Sequence, residues 1–317
     1  MYKKLDCEIS GVRPLDFMIP KFITMMGHQS HKVRIHALVC LNSFIPSQTP
    51  SFSANIDAFI AALFSRASDS EPEVRQHVCS ALVKLLASRA DKLVPEMHNV
   101  AEFMLYSTQD KDESVALEAC EFWLTFAEEA HLSDSLRPLL PRVAPVLLAS
   151  MVYSETDLVI LDNGDDDDAA VPDKESDIKP RFYGGKTHTQ TAEAVDNENT
   201  HHKLGRDADL LSDDDEDDFD DEFDDDEELA SEWNLRKCSA AALDVLSINF
   251  GTELLQILLP FLKERLFSQD WIQRESAILA LGAIAEGCIE GIEPHLPQLV
   301  PYLVNALNDQ KVSDLKF

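Results

Sequence analysis

Basic residues are scarce in this chain: 27 Lys and Arg stand against 58 Asp and Glu in 317 residues, a formal charge of −31. Such a balance repels phosphate, and no Lys/Arg stripe compensates for it, which argues against direct nucleic-acid binding; basic protein partners fit better. Paired cysteines are missing as well. Cys7, Cys40, Cys79, Cys120, Cys238 and Cys288 lie far apart with no CxxC spacing, which suggests reduced thiols in a cytosolic or nuclear protein. Of these, Cys40, Cys79 and Cys120 fall on apolar helical faces and read as core residues. No segment approaches the ~20 apolar residues of a membrane span. The opening MYKKLDCEIS has no apolar stretch of signal-peptide length, so the chain is expected to be soluble and not exported. Glycine (10 residues) and aromatics (8%) are modest, while 45% of residues are hydrophobic, enough for a normal folded core.

Chemistry-bearing patterns are also absent. Gly184-Gly185-Lys186-Thr187 resembles the end of a phosphate loop, but the first glycine of that motif would fall at Pro180 and no strand precedes it. His188, His201 and His202 stand in a polar stretch without cysteine or fixed ligand spacing, which argues against zinc. Residues 162–175 lack the alternating ligands and central glycine of a calcium loop. Nothing assembles Ser, His and Asp into a catalytic set, so no enzyme, cofactor or metal site is expected.

What the chain does have is a grammar of paired amphipathic helices. DFMIPKFITMMG, a polar break at 28–31, then KVRIHALVCLNSFI make the first pair. IDAFIAALFSRA, a break at 68–72, then EVRQHVCSALVKLLASRA make the second; MHNVAEFMLYST, a break at 109–113, then SVALEACEFWLTFAEEA make the third. Val33, Val74 and Val115 recur about every 41 residues, the period of helical repeats of the HEAT type. From each of them an i, i+4, i+8 stripe runs along the second helix: Val33, Ala37, Leu41; Val74, Val78, Leu82; Val115, Ala119, Trp123. A two-helix unit cannot bury such a stripe alone, so the units must stack around one continuous core. The fold class that follows is all-α, a HEAT-repeat solenoid.

A fourth unit begins with RPLLPRVAPVLLASMVYS, and then its second helix is late. Helical grammar resumes only at EWNLRKCSAAALDVLS, with Leu235, Ser239 and Leu243 on the stripe, about 120 residues after Val115. One repeat therefore contains an insertion of about 80 residues between its two helices. A fifth pair, LLQILLPFLKERLFS with DWIQRESAILALGAIAEGC, and the first helix of a sixth, HLPQLVPYLVNALND, follow. The organisation reads as an N-terminal segment 1–13, repeats 14–154, an acidic disordered loop 155–231, repeats 232–308 and a divergent tail 309–317. The chain reads as part of a longer array.

Most of the charge sits in the insertion, where residues 155–232 hold 30 acidic against 6 basic side chains, leaving only about −7 for the rest. Its densest part is SDDDEDDFDDEFDDDEE, with Asp213, Asp214, Asp215, Glu216, Asp217, Asp218, Asp220, Asp221, Glu222, Asp224, Asp225, Asp226, Glu227 and Glu228 interrupted only by Phe219 and Phe223. So many like charges cannot pack together, and the run must be solvated or wrapped by something basic. A solvated spacer is the plain reading. The functional one is a tethered polyanion that competes for a basic ligand on the neighbouring surface at high effective concentration.

The strings EPEVRQHVCSALVKLL, ESVALEACEFWLTFAEE, IKPRFYG, SEWNLRKCSAAALDVLS and ESAILALGAIAEGC resemble the transportin family within the importin-β superfamily of nuclear transport receptors. The resemblance spans roughly residues 13–309. It implies a HEAT solenoid that binds basic, Pro-Tyr type nuclear localisation signals, passes nuclear pore proteins and is unloaded by Ran-GTP, with the acidic loop coupling Ran binding to cargo release. In that family Ran contacts the N-terminal arch and the acid-loop repeat, whereas signals bind mostly in a C-terminal arch beyond the end of this chain. The family also implies shuttling between cytoplasm and nucleus. No membrane or nucleic-acid partner is expected, and a monomer is.

Arg34, Arg75, Arg236 and Arg274 occupy equivalent places early in their second helices, where the third repeat has Ala116. They read as a structural ladder of inter-repeat salt bridges. Trp233 and Trp271 precede two of them by the same spacing; both read as plugs of the turn and helix start, and a partner contact stays open for Trp233 because it borders the loop. Two other readings remain: a HEAT scaffold for a different assembly, and an acidic chaperone for basic proteins such as histones.

Overall fold

The structure is a computed structural model that describes residues 13–155, 157–159 and 233–306. Among them there is helix and turn and no strand. The first helices of successive pairs are α1 (Pro14–Met25), α3 (Pro50–Arg66), α5 (Met97–Ser107), α7 (Leu140–Ala149), α9 (Thr252–Leu266) and α11 (Leu296–Ala306), and the second helices are α2 (His31–Phe44), α4 (Pro72–Leu93), α6 (Glu113–Glu128), α8 (Leu235–Phe250) and α10 (Trp271–Ile284). Each second helix packs on the next, α2 on α4, α4 on α6, α6 on α8 and α8 on α10, while α1 packs on α3 and α7 on α9. This is the stacked two-layer array that the stripes require.

Helix starts follow from local chemistry. The Thr49, Asp112, Asn234 and Asp270 side chains accept from N–H groups of their own first turns, which satisfies donors that have no partner inside the helix. Pro14, Pro50 and Pro72 open α1, α3 and α4, where a missing N–H costs nothing. The two layers then differ in their interiors. Pro20, Pro145, Pro260 and Pro301 sit inside α1, α7, α9 and α11, where each lacks the N–H for an i−4 hydrogen bond. The second helices carry no internal proline. Their one interruption is Arg89 in α4, at φ −143° and ψ 47°.

The stripes form the core. Ala37, Leu41, Val74, Val78, Leu82, Val115, Ala119, Trp123, Ser239, Leu243 and Ala277 are all buried. At the centre, Trp123 meets Phe122 edge-on at 5.3 Å and stacks on Phe126 at 6.4 Å, and its indole N–H donates to Thr108 Oγ1 at 3.0 Å. Rings of this kind remove roughly 150–250 Å² each from water, on the order of 4–6 kcal/mol apiece at ~25 cal/mol per Å². Helix α6 is thus the most heavily anchored element, and it lies directly before the repeat that carries the insertion.

Several boundaries differ from the periodicity, and three have a local reason or consequence. α3 begins at Pro50 instead of 56, because Thr49 and Pro50 supply a cap and a preset φ before the apolar rhythm starts. α7 ends at Ala149, five residues short of the amphipathic stretch. α8 continues to Phe250 and is closed by Gly251 at φ +48°, a left-handed position that also opens α9. Gly287, just after α10, sits so close to the end of α8 that a Cβ there would meet the Ser247 carbonyl carbon at 2.2 Å.

Candidate partner-binding site at the neck of the insertion

The helical body includes the described residues on both sides of the insertion. Trp233 is half-buried and falls in a second unit, Gly184–Trp233. The acidic run, with all fourteen of its candidate residues from Asp213 to Glu228, lies outside the described residues, and so do residues 309–317. What the structure does show is the neck through which the insertion leaves the array and returns.

On the outgoing side α7 stops, Met151 is fully buried, and Tyr153 follows. Ser154 N–H and Oγ–H both donate to Asp157 Oδ2 at 2.9 Å, while Asp157 N–H donates back to Ser154 Oγ at 3.1 Å. On the returning side the Asn234 side chain accepts from Lys237 N–H and starts α8. The first turn of α8 then presents Arg236, whose guanidinium lies 3.7 Å from the centre of the Tyr153 ring. The same guanidinium donates through Nη1 to Glu275 Oε2 at 2.9 Å and through Nη2 to the other carboxylate oxygen. Tyr153 in turn packs on Trp271 at 6.2 Å. Four side chains from α8, α10 and the segment after α7 therefore tie the two ends of the insertion together.

The electrostatics of this neck are those of a partly dry site. Glu275 is 4% exposed; burial pushes its carboxyl above the usual range, and Arg236 opposes that. Burial likewise raises the Tyr153 phenol, with Arg236 pulling it down. Beside the neck is a cleft of about 200 Å³ lined by Asp110, Glu113, Ser150, Asp157, Leu235 and Arg236. Burial raises the Glu113 carboxyl, and the nearby Asp157 and Asp112 charges add to it. The same cleft also holds Lys111, so its lining mixes three carboxylates with two basic side chains.

The four arginines divide into two kinds. Arg34 places Nη1 on the carbonyls of His28 and Gln29, both at 3.0 Å, and Nη2 on Asp69 at 2.6 Å. Arg75 does the same with the carbonyls of Asp69 and Ser70 and with Asp110, which it meets through Nε at 2.9 Å and Nη2 at 2.8 Å. The Arg75 guanidinium holds the Asp110 carboxyl below the usual carboxylate range. Arg274 holds the carbonyls of Ser268 and Gln269 at 3.0 and 2.9 Å. Arg236 is different: its carboxylate is 39 residues ahead instead of 35, and an aromatic ring takes one of its faces. Sequence reasoning grouped all four and missed Tyr153 and Glu275. The available signal was the residue 35 places after each arginine or its substitute, an aspartate for Arg34 and Arg75 but Met151 for Ala116 and Trp271 for Arg236.

A HEAT-like repeat family matches residues 271–313. The chain is 50% identical to mouse Transportin-1 over 97% of its length and 32% of the relative's. It is 48% identical to the Schizosaccharomyces pombe Importin subunit beta-2 over 98% of its length and 34% of the relative's. It thus spans about a third of the curated relatives it matches. Among solved structures, Kap95p, the yeast importin-β, in the structure concerned with its binding to RanGDP, superposes with a TM-score of 0.61 at 16% identity, covering 96% of this chain and 31% of that one. That likeness shows the fold. The two relatives carry the names of transport proteins and not of enzymes. Along nearly its whole length, then, this chain is similar to about a third of the transportin (importin β-2) proteins.

Proposed function

We propose that the chain is the Ran-responsive part of a nuclear import receptor: it shuttles between cytoplasm and nucleus as a monomer, engages nuclear pore proteins, and uses its acidic insertion to couple Ran-GTP binding to release of basic nuclear-localisation-signal cargo. The observation that carries this reading is the roughly half-identity to two transportin-type relatives along nearly the whole chain. The neck adds physical support. A polyanion tethered at both ends beside the stacked second helices has a high local concentration there. A basic signal bound nearby therefore faces a competitor that never diffuses away. Asp213 to Glu228 supply the charge, Phe219 and Phe223 supply small apolar anchors, and Trp233 is positioned in sequence to meet a partner.

The test replaces residues 213–228 with a Gly/Ser linker of equal length in the receptor and follows release of a fluorescent basic signal peptide on adding GTP-loaded Ran. The reading predicts slower release, and a salt dependence that disappears with the run. Unchanged release kinetics would overturn it. A chaperone for histone-like proteins is the second reading, favoured by the same charge, and would show as salt-sensitive histone binding that is lost with the run and indifferent to Ran.

A further inference from the structure

Arg34, Arg75 and Arg274 do one job in three turns. Each is the fourth residue of its second helix, and each uses Nη1 to hold the backbone carbonyls six and five residues behind it: His28 and Gln29 at 3.0 Å, Asp69 and Ser70 at 2.9 and 3.4 Å, Ser268 and Gln269 at 3.0 and 2.9 Å. The turn between α5 and α6 is built like the turn between α3 and α4. Asp69 Oδ1 accepts from Glu71 N–H at 3.1 Å and Asp110 Oδ1 from Asp112 N–H at 3.0 Å, and the second helix starts three residues after each aspartate. The fourth residue of α6, however, is Ala116, which is 2% exposed. The carbonyls six and five residues behind it belong to Asp110 and Lys111, and among the described residues nothing donates to either.

The cleft of about 200 Å³ beside the neck opens at this spot, with Ala116 in its lining together with Asp110, Lys111, Glu113, Asp157 and Arg236. It is smaller than the roughly 300–1,000 Å³ of a small-molecule pocket and suits a single side chain. Its charges favour a cation. Asp110 is answered by Arg75, and Arg236 by Glu275. That leaves Glu113 and Asp157 against Lys111, with Asp112 close enough to add to the upward push on the Glu113 carboxyl. Among the described residues neither Glu113 nor Asp157 has a cationic partner. Lys111 and Glu113 are both exposed, so the mouth is open to solvent.

We propose that this cleft is a socket for an arginine side chain of a partner protein, whose guanidinium takes the Asp110 and Lys111 carbonyls as Arg34, Arg75 and Arg274 take theirs and turns its other edge to Glu113 and Asp157. Arginine suits the socket better than lysine, because a planar fork serves two carbonyls and a carboxylate at once whereas an ammonium is a point charge. The inference rests on the three turns that hold their own arginine and on the one that does not, and it stands or falls apart from the import reading.

The experiment titrates the isotope-labelled full chain with N-acetyl-arginine amide and follows the amides of residues 110–117 by NMR, with N-acetyl-citrulline amide as the neutral isostere and N-acetyl-lysine amide as the point charge. Arginine should give a saturable response at least about tenfold tighter than citrulline, the factor a charge-assisted hydrogen bond supplies. Glu113→Gln leaves the Asp112 cap of α6 in place and should weaken the response by roughly threefold. Ala116→Arg puts a guanidinium on the same carbonyls from within the chain and should abolish it. An equal response to arginine and citrulline, or one that neither variant changes, would overturn the proposal. Equal affinity for arginine and lysine would overturn the choice of a guanidinium. Binding that appears only once residues 160–232 are replaced by a short linker would show the socket filled by this chain's own insertion, and would overturn the partner.

Discussion

Replacing Arg236 by Met tests the neck most sharply. The side chain is 13% exposed and its partner carboxylate 4%, so removing the guanidinium leaves Glu275 buried beside Tyr153 and Trp271 with its main counter-charge gone. Breaking a buried pair from one side costs roughly 3–5 kcal/mol, and the lost cation–π contact adds on the order of 0.5–2 kcal/mol. The uncharged Met side chain recovers part of this through packing, which leaves about 3 kcal/mol at neutral pH. The cost must depend on pH. Burial already raises the Glu275 carboxyl, and without Arg236 it rises further. A carboxyl whose folded pKa lies above its unfolded one favours the folded state when protonated, so its contribution falls as pH climbs from the ordinary carboxylate value through the folded one. Arg236→Met should therefore be most destabilised near pH 8 and recover towards pH 5. The double variant Arg236→Met/Glu275→Met should regain most of the loss at every pH, because an apolar pair of similar volume replaces the ion pair. Urea unfolding followed by circular dichroism from pH 5 to 8, with hydrogen exchange in α8 and α10 as the local readout, measures all three. A loss below about 1 kcal/mol, or one that does not change with pH, would refute the buried-neck argument.

Other consequences are simpler to check. Gly287→Ala drives a Cβ into the backbone of Ser247 and Ile248, at 2.2–2.4 Å, and should lower the stability of the fifth pair by about 1–3 kcal/mol or more in thermal unfolding, since neither wall is a movable side chain. Asp110→Asn should flatten the acid limb of the stability curve: the Arg75 guanidinium depresses the wild-type carboxyl, so its contribution is complete above the ordinary carboxylate pKa and lost as pH falls through the folded value. Burial pushes the Cys79 thiol up to about 12 and raises Cys238 well above its usual value, so both should resist a thiol reagent until urea unfolds the chain, while half-buried Cys40 reacts before either of them.

The array was legible because its signal is repetitive. Val33, Val74 and Val115 mark the period, and the i, i+4, i+8 stripes identify the face that each second helix buries, since stacking leaves no other way to cover it. The insertion was legible for the same reason: a stripe resumed at Leu235, late but in register. The start of α3 was not, because Thr49 and Pro50 act through a hydrogen bond and a fixed φ, neither of which carries apolar rhythm. The neck escaped for a different reason. Arg236 stands where Arg34 and Arg75 stand, but position on a helix does not say which carboxylate is 35 or 39 residues away in the stack, or that Tyr153 takes the face of the guanidinium. Pairing between repeats is a tertiary fact, and only the offset between arginine and aspartate hinted at it. The acidic run showed its charge in the sequence, and it lies outside the described residues.

The most direct test is equilibrium binding of Ran to this chain by calorimetry, with Ran loaded in turn with a non-hydrolysable GTP analogue and with GDP. The import reading predicts tighter binding of the GTP form by at least about tenfold, within the usual range for a coupled switch, and a weaker salt dependence once residues 213–228 are replaced by a neutral linker. Equal affinity for both forms, or no binding to either while histones bind through the acidic run, would contradict it.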